Sequence, residues 1–317
     1  MERTDILVVG AGPAGLTAAQ YGARAGLKVV AAETLQPGGQ ALNIDILENY
    51  PGLLTGRPGR ELTGDMYAQA CVFGAVFVEK NVATLVIDDT GTRRMFKAVF
   101  DDGAELAADA VILCMGAAPR SINVPGEKEF RGLGVSYCAA CDGPFFKGKK
   151  IVVVGGGDAA CDEARALLRI SPNITLVHRR GQLRAQKAVA DRVLESPGIQ
   201  LRFNTEVRTI RGSKKVEAVI LENIQTGQKS EEEADAVFIF AGIVPNNELV
   251  KKPELTEKPQ FDTSGFIITN DRMETSVRGL FCAGDLRATP FRQVVVAAGE
   301  GAVAAHSAAE YLMEHEH

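Results

Sequence analysis

The sequence predicts an α/β fold built from two similar units, each a buried strand that leads through a glycine-rich turn into a helix. The first is Ile6–Val9 followed by Gly10-Ala11-Gly12-Pro13-Ala14-Gly15, and the second is Lys150–Val154 followed by Gly155-Gly156-Gly157-Asp158-Ala159-Ala160. Both strands are short, apolar and β-branched, as is typical of parallel strands covered on both faces. A length of 317 residues is enough for about two domains.

Composition restricts the classes of protein that remain. The net charge of −5 argues against nucleic acid as the main partner, because phosphate binding needs a concentrated basic surface. No apolar run approaches the length of a membrane span, and the acidic start Met1–Asp5 is unlike a signal peptide. We therefore expect a soluble cytoplasmic protein that binds neither nucleic acid nor membrane.

The first turn fits the fingerprint of a Rossmann-like dinucleotide site, in which glycines let a pyrophosphate approach the N-terminus of the next helix. A helix over residues 16–25 and a strand over residues 28–32 follow, and the strand ends at Glu33. An acid there is placed to accept hydrogen bonds from ribose hydroxyls. The alternative for Glu33 is a solvated strand end.

The next part of the chain completes one unit. Residues 37–40 and 48–52 are loops rich in turn formers, and a helix is expected over residues 60–73. Three strands with an antiparallel pattern are then expected over residues 75–79, 83–87 and 94–100. A buried strand at residues 110–114 ends at Met115–Pro119, which we interpret as a break between domains.

A redox-capable pair lies between the two units, in Cys138-Ala139-Ala140-Cys141-Asp142-Gly143. In a chain with no sign of secretion, a disulfide at this spacing is more often catalytic than structural. Half of a zinc site is the alternative, but it needs a second close pair of ligands. The other cysteines are isolated, and His306, His315 and His317 cluster near the C-terminus, so no metal is predicted.

The second turn differs from the first in the residues that come after it. The strand 174–177 ends in His178-Arg179-Arg180, with Arg184 one helical turn further on. Guanidinium groups at this position suit a 2′-phosphate, so the second site is interpreted as an NADPH site. A solvated basic turn is the alternative for the arginines, and a structural role is the alternative for His178.

The remaining segments return the chain to the first unit. Strands and turns over residues 200–240 complete the second unit, and residues 241–246 mirror the earlier break. A buried strand at residues 279–285 is expected to end in an exposed acid, Asp285. A helix with a small-residue face comes next, over residues 293–313.

Taken together, these motifs resemble low-molecular-weight bacterial thioredoxin reductases over essentially the whole chain. The matching motifs are Gly10-x-Gly12-x-x-Gly15, Gly38-Gly39-Gln40, Glu48–Gly52, Cys138-x-x-Cys141-Asp142-Gly143, Gly155–Gly157, His178–Arg184, Gly284-Asp285 and Arg292-Gln293-Val294. The resemblance implies three-layer ββα dinucleotide-binding domains, with an NADPH domain inserted into an FAD domain, and a homodimer. It assigns residues 1–117 and 244–317 to the FAD domain and residues 118–243 to the NADPH domain with the cysteine pair.

The resemblance also implies the residues near each cofactor. Those expected near FAD are Gly10, Gly12, Pro13, Ala14, Gly15, Glu33, Gly39, Gln40, Asn49, Gly116, Gly284, Asp285, Arg292, Gln293 and Val294. Those expected near NADPH are Gly155, Gly157, Asp158, Ala159, His178, Arg179, Arg180 and Arg184.

The implied activity is reduction of thioredoxin or a thioredoxin-like protein by NADPH, through FAD and the cysteine pair. By similarity Cys141 faces the flavin, Cys138 attacks the partner, and Asp142 moves the proton. Alternatives are a flavin-dependent dithiol oxidase, an NADH- or ferredoxin-linked relative, and a non-catalytic nucleotide sensor. Because the pair and the NADPH site share one domain, both are expected to reach the flavin in turn by a swing of that domain.

Two departures from the family pattern concern the partner. The family often has Arg-Gly-Val before the cysteine pair and Phe-Phe directly after Asp-Gly. This chain has Leu133-Gly134-Val135 and Pro144-Phe145-Phe146 instead. Both positions lie where the partner is expected to dock, so they bear on its identity and leave the chemistry unchanged.

Overall fold

The computed structural model describes residues 2–44, 46–54, 56–91 and 94–314. The chain divides into two compact units. Unit 1 comprises residues 1–118 and 244–317, and unit 2 comprises residues 119–243. His315 and His317, two of the histidines near the C-terminus, lie outside the described residues.

The strands, in chain order, are β1 (Glu2–Val9), β2 (Val29–Glu33), β3 (Val76–Glu79), β4 (Val82–Asp88), β5 (Met95–Phe100), β6 (Glu105–Leu113), β7 (Ala117–Pro119), β8 (Val135–Ser136), β9 (Lys150–Gly155), β10 (Asn173–Val177), β11 (Ile199–Arg202), β12 (Thr205–Gly212), β13 (Val216–Asn223), β14 (Lys229–Glu233), β15 (Ala236–Phe240), β16 (Ile243–Pro245) and β17 (Leu280–Cys282). The helices are α1 (Pro13–Arg24), α2 (Gly59–Val72), α3 (Ala139–Asp142), α4 (Asp158–Leu168), α5 (Lys187–Leu194), α6 (Glu248–Lys251) and α7 (Val294–Glu314). Helix α1 begins three residues earlier than expected, because Pro13 is tolerated at a first helical position.

Unit 1 is organised around one sheet with the strand order β3-β2-β1-β6-β5-β4, and β17 also pairs with β6. Strands β4, β5 and β6 pair antiparallel, as the sequence predicted for β4 and β5. The antiparallel expectation was wrong for β3, which pairs parallel to β2. The chain reaches β3 through the crossover helix α2, and a strand that comes after such a crossover enters the sheet in the same direction as the strand before it.

Small residues let helices α1 and α7 of unit 1 pack closely beside the first turn. A Cβ on Gly301 of α7 would lie 2.1 Å from the carbonyl oxygen of Ala14 in α1. The small-residue face predicted for the C-terminal helix is therefore a contact with α1. This contact fixes the N-terminus of α1 against α7.

Unit 2 repeats the parallel arrangement with the strand order β11-β10-β9-β15-β8. A separate antiparallel sheet, β12-β13-β14, covers one side, and its apolar residues Val207, Ile210 and Val219 are buried. The predicted fold class, two Rossmann-like α/β units of which one is inserted in the other, is confirmed.

The two connections between the units are short strands that pair with each other, β7 and β16. The amide of Arg120 donates to the carbonyl oxygen of Gly242 at 2.9 Å, and the amide of Asn246 donates to that of Gly116 at 3.0 Å. In the part of the chain that the structure describes, no helix is both long and apolar enough to cross a membrane.

Candidate active site and nucleotide-binding turns

The cysteine pair lies on a single helical turn of unit 2. Cys138 and Cys141 are joined as a disulfide with Cα atoms 5.4 Å apart. Cys138 is the N-cap of α3, and its Sγ accepts a hydrogen bond from the amide of Cys141 at 3.1 Å. Cys141 is exposed and Cys138 is half-buried, so the disulfide lies at the surface of its fold.

Asp142 ends the same turn, where its amide donates to the carbonyl oxygen of Cys138 at 3.2 Å. The half-buried carboxyl group is therefore held on the element that carries both sulfurs. The segment that follows Asp142 packs against the core of unit 2, because the Phe146 ring meets the buried Phe238 ring edge-on, with centroids 6.0 Å apart. Phe145, in contrast, is 80% exposed.

The remaining cysteines are not equivalent to this pair. Cys114, Cys161 and Cys282 are buried and free of disulfides. Burial raises the pKa of each thiol, to about 11 for Cys161, so each is a poor source of thiolate near neutral pH. Cys71 is exposed and also free of a disulfide.

The first glycine-rich turn has the shape that a pyrophosphate needs. Helix α1 has Gly12 as its N-cap, with no side-chain hydrogen bond to the cap, so its first amides are available to a ligand. A Cβ on Gly15 would lie 1.9 Å from the carbonyl oxygen of Gly10, and Gly10 itself has φ 96°. Only glycine fits at these two positions. The turn thus fits a dinucleotide phosphate.

Glu33 faces this turn from the end of β2. Its Oε2 accepts a hydrogen bond from the amide of Ala11 at 2.8 Å, and its Oε1 accepts one from the amide of Thr34 at 2.8 Å. A carboxylate can accept further bonds on its remaining lone pairs. The geometry therefore holds a hydrogen-bond acceptor beside the turn, as the prediction of a ribose contact requires.

Other residues predicted near FAD come together from distant parts of unit 1. A Cβ on Gly39 would lie 2.9 Å from Cα of Gly12, so the two turns are in contact. The Asn49 amide donates to Oε1 of Gln293 at 2.9 Å across 244 positions of sequence. The Gln40 side chain donates to the carbonyl oxygen of Ala117 at 3.4 Å, next to Gly116 with its φ of 63°.

Asp285 is half-buried, which corrects the expectation of an exposed acid. Gly284 packs against α1, where a Cβ would lie 2.9 Å from Cβ of Ala14, and this contact draws the next residue inward. Burial raises the pKa of Asp285, and the Arg292 charge opposes that effect. Arg292 stacks on the Phe266 ring at 4.0 Å, and Val294 begins α7.

A buried ion pair under this turn was missed from the sequence. Glu300 accepts from the amide of Gly284 at 2.8 Å and from the guanidinium of Arg287. Glu300 is only 7% exposed. The signal was an acid within the small-residue face of a helix, which is where an acid would otherwise be unfavourable.

The second turn, in unit 2, has the same backbone form. Gly157 is the N-cap of α4 without a side-chain cap, and a Cβ placed on it would meet no atom within 4 Å. Asp158 opens the helix, followed by Ala159. The Asp158 carboxylate accepts bonds from the amide of Gln186 at 2.6 Å and from its side chain at 2.8 Å. This turn also fits a dinucleotide phosphate.

The predicted cationic loop lies against this second turn. The amide of Arg184 donates to the carbonyl oxygen of Gly156 at 2.6 Å. Arg179, Arg180 and Arg184 are exposed, and within the described ranges none has an acidic partner. Burial and these three charges lower the pKa of His178. The residue is 6% exposed, and its Nε2 has no hydrogen-bond partner among the described residues.

Comparison with known proteins places this arrangement in a family. The family model described as pyridine nucleotide-disulphide oxidoreductase matches residues 4–301. A thioredoxin reductase of Treponema pallidum is 48% identical over 308 residues, which cover 97% of each chain. The chain belongs to the thioredoxin reductase branch of this family. This result confirms the resemblance expected from the motifs.

Other relatives agree with this placement. A thioredoxin reductase of Bacillus subtilis is 43% identical over 311 residues, which cover 98% of this chain and 95% of the relative. The crystal structure of Lactococcus lactis thioredoxin reductase matches with a TM-score of 0.92 and 36% identity, covering 98% of this chain and 99% of that one. The chain is therefore an oxidoreductase, and its family implies the use of a pyridine nucleotide and a flavin.

Proposed function

We propose that this protein is an NADPH-dependent thioredoxin-disulfide reductase of the cytoplasm. The observation that carries the proposal is the surface disulfide Cys138–Cys141 in the same unit as a glycine-rich turn flanked by three arginines that have no acidic partner among the described residues. A dithiol oxidase or a nucleotide sensor would not need both features. Relatives named thioredoxin reductase support thioredoxin, or a thioredoxin-like protein, as the substrate.

We assign FAD to the turn of unit 1 and NADPH to the turn of unit 2. The acceptor at Glu33 favours a ribose with free hydroxyls, whereas the arginines near Gly156 favour a 2′-phosphate. Asp285 and Arg292 would bind FAD at the turn that begins with Gly284. When bound, the two cofactors supply the hydride and electron transfer that the side chains cannot perform.

The cysteine pair performs the thiol chemistry. Two electrons and two protons convert the Cys138–Cys141 disulfide to two thiols. The Cys138 thiolate then attacks a sulfur of the external disulfide, and Cys141 resolves the mixed disulfide, which restores the Cys138–Cys141 bond and releases the partner as a dithiol. The amide of Cys141, 3.1 Å from Sγ of Cys138, stabilises charge on that sulfur and supports its role as the attacking thiol.

Asp142 is assigned the proton that this exchange must move. Its backbone bond to Cys138 places the carboxyl group on the same turn as both sulfurs. Cys141 is proposed, by similarity to the family, as the thiol that faces the flavin, which leaves Cys138 for the partner.

Apolar side chains near the pair in sequence support docking of a protein partner. Leu133 is 52% exposed and Phe145 is 80% exposed. Leu133 stands where relatives often carry arginine, so the partner is proposed to offer an apolar contact rather than an acid at that point. We further propose that the active protein is a homodimer.

The two connecting strands support a hinge. Gly116 has φ 63° and Gly242 has φ 111°, so each connection contains a residue that can change its backbone angles at low cost. We propose that unit 2 turns about β7 and β16, so that the nucleotide and the disulfide reach the flavin in succession.

The test is a reductase assay on the purified, FAD-loaded protein. We expect the yellow colour to bleach with NADPH under exclusion of oxygen and to return when oxidised thioredoxin is added. Reoxidation by oxygen at the same rate as by thioredoxin would instead identify a dithiol oxidase. Equal use of NADH and NADPH would contradict the assignment of Arg179, Arg180 and Arg184 to the 2′-phosphate of NADPH.

A further inference from the structure

A buried carboxylate in unit 2 takes no part in the proposed thiol or nucleotide chemistry. Glu127 is 1% exposed, and within the described part of the chain it has no cationic partner. It is compensated by hydrogen-bond donors alone, which come from two separate segments. Such a group is costly to bury unless its bonds are complete, so its position needs a reason.

The first segment is the turn by which the chain enters unit 2. The Ser121 hydroxyl donates to Oε2 of Glu127 at 2.7 Å, and the amide of Ile122 donates to Oε1 at 3.0 Å. Asn123 has φ 55°, an uncommon value for a residue with a side chain, and it bends the turn around the carboxylate. Ser121 lies two residues beyond the end of β7.

The same turn is fixed to the antiparallel sheet of unit 2. The amide of Ile210 in β12 donates to the carbonyl oxygen of Pro125 at 2.9 Å. A Cβ on Gly126 would lie 2.0 Å from the carbonyl oxygen of Ile210, so only glycine permits this approach. Glu127 therefore sits on a rigid support.

The second segment leads directly into the redox pair. The hydroxyl of Tyr137, the residue before Cys138, donates to Oε1 of Glu127 at 2.6 Å. The backbone amide of Cys138 itself donates to Oγ of Ser136 at 3.1 Å. One hydroxyl thus connects the buried carboxylate to the backbone that carries the attacking sulfur.

The protonation states keep this connection intact near neutral pH. Although burial raises the pKa of Glu127, the hydrogen bonds from Tyr137, Ser121 and the backbone outweigh it and lower the pKa. Burial and the Glu127 carboxylate raise the pKa of Tyr137 to about 12. The acceptor stays charged and the donor keeps its proton over the working range of the thiols.

We propose that Glu127 is a positioning residue, whose buried carboxylate holds Tyr137, and through it the Cys138–Cys141 turn, to the rigid segment that enters unit 2. Thiol–disulfide exchange needs three sulfurs in line, and a misplacement of about 1 Å can cost about 100-fold in rate. A site on a short turn keeps such geometry only if neighbouring contacts hold it. The proposal rests on the proposed function for its biological meaning, but not for its test.

The test compares two variants that each remove one hydroxyl from the same carboxylate. Tyr137→Phe removes the 2.6 Å bond that leads to the pair, and Ser121→Ala removes the 2.7 Å bond on the opposite side. Because the two bonds have similar lengths and end on the same carboxylate, removal of either should lower the free energy of unfolding by a similar amount. Only Tyr137→Phe should change the rate and the equilibrium of thiol–disulfide exchange at the Cys138–Cys141 pair. Neither variant introduces a charge or a larger side chain, so both are expected to fold, whereas Glu127→Ala leaves buried donors unsatisfied.

The first readout uses dithiothreitol, which becomes a cyclic disulfide as the protein disulfide accepts two electrons and two protons. It requires neither NADPH nor a protein partner. We expect Tyr137→Phe to slow formation of the dithiol at least about tenfold and to shift its equilibrium with dithiothreitol, while Ser121→Ala matches the wild type. In the holoenzyme, the same variant should lower kcat and leave KM for NADPH unchanged.

The outcomes separate the alternatives. Equal effects of the two variants on exchange, or a Tyr137→Phe protein that exchanges like the wild type, would overturn the positioning role and leave Glu127 a structural residue. If the wild type does not reduce thioredoxin, the proposed function is wrong. The comparison of the two variants with dithiothreitol would still decide the role of Glu127.

Discussion

At the N-terminus of α1 and at the N-terminus of α4, the chain builds the same backbone with opposite charge around it. Both helices have a glycine N-cap without a side-chain bond, and both come directly after a buried parallel strand. Beside the first turn lies the Glu33 carboxylate, bonded to the amide of Ala11. Beside the second lie Arg179, Arg180 and Arg184, exposed and without acidic partners among the described residues. Under the proposal made above, the backbone would bind phosphate at both turns, and the charged residues beside each turn would select the nucleotide.

The largest effect is expected at the disulfide, because the cofactors proposed to bind at the two turns would both act to reduce Cys138–Cys141. We expect Cys138→Ser and Cys141→Ser each to abolish disulfide reduction, because exchange needs both sulfurs, and to leave flavin reduction by NADPH intact. The variant that keeps Cys141 should show a long-wavelength charge-transfer band, measured by absorption. Cys71→Ser, at an exposed cysteine outside the pair, is the control and should retain full turnover. A band in the variant that keeps only Cys138 would reverse the two roles.

A second change tests the proton transfer proposed for Asp142 at the disulfide. Asp142→Asn should slow turnover by about 100-fold to 10,000-fold, since general acid–base groups contribute in that range. NADPH binding should be unaffected, as measured by titration of the oxidised protein. Glu129→Gln, at an exposed acid of the same unit, is the matched control. Full activity of Asp142→Asn would make this residue part of the turn alone.

The charge difference itself is tested at the arginines. Replacement of Arg179 and Arg180 by alanine should lower the preference for NADPH over NADH by about 100-fold or more, because two charge-assisted bonds are lost. The ratio of kcat/KM for the two nucleotides measures it. Lys214→Ala with Lys215→Ala removes the same charge from an exposed turn elsewhere in unit 2. Equal losses with NADPH and NADH would show that the arginines do not read the phosphate.

The acid of the first turn should have a smaller effect. Glu33→Gln keeps one acceptor oxygen but replaces the other by a donor, so FAD should bind about tenfold more weakly. Equilibrium dialysis of the flavin measures the change. Glu79→Gln is a close control, because Glu79 is the register partner of Glu33 on β3 and is exposed. Unchanged FAD affinity in Glu33→Gln would leave Glu33 as a strand-end residue that only orders the turn.

The smallest effect is expected from His178. Burial, together with Arg184, Arg180 and Arg179, lowers its pKa in the folded state, so below about pH 6.5 the unfolded chain binds the proton more readily. Stability should therefore be complete above that pH and decline as the pH falls. Denaturant unfolding at several pH values should show a flatter decline for His178→Gln than for His306→Gln, whose site is exposed. Identical profiles would contradict the shift.

The comparison of the two turns also shows how far the sequence could predict the structure. Both strand–turn–helix units were predicted, because glycine spacing and a buried strand act over about ten neighbouring residues. The direction of β3 was not, since the strand pattern is the same whichever way the strand pairs. The burial of Asp285 was missed because it depends on contact between Gly284 and Ala14, far apart in the chain.

The sequence by itself determined the two glycine turns, the redox spacing of Cys138 and Cys141, and the opposite charges that come after the two turns. Each of these is a local property of a few consecutive residues. Only the tertiary structure decided which side chains of different segments meet: Asn49 with Gln293, Glu300 with Arg287, and Glu127 with Tyr137. Such pairs have no spacing rule, because they arise from the packing of whole helices and sheets. The burial of Glu127 and Glu300 could not be predicted from the sequence, because it depends on hydrogen-bond donors that only the fold brings to each carboxylate.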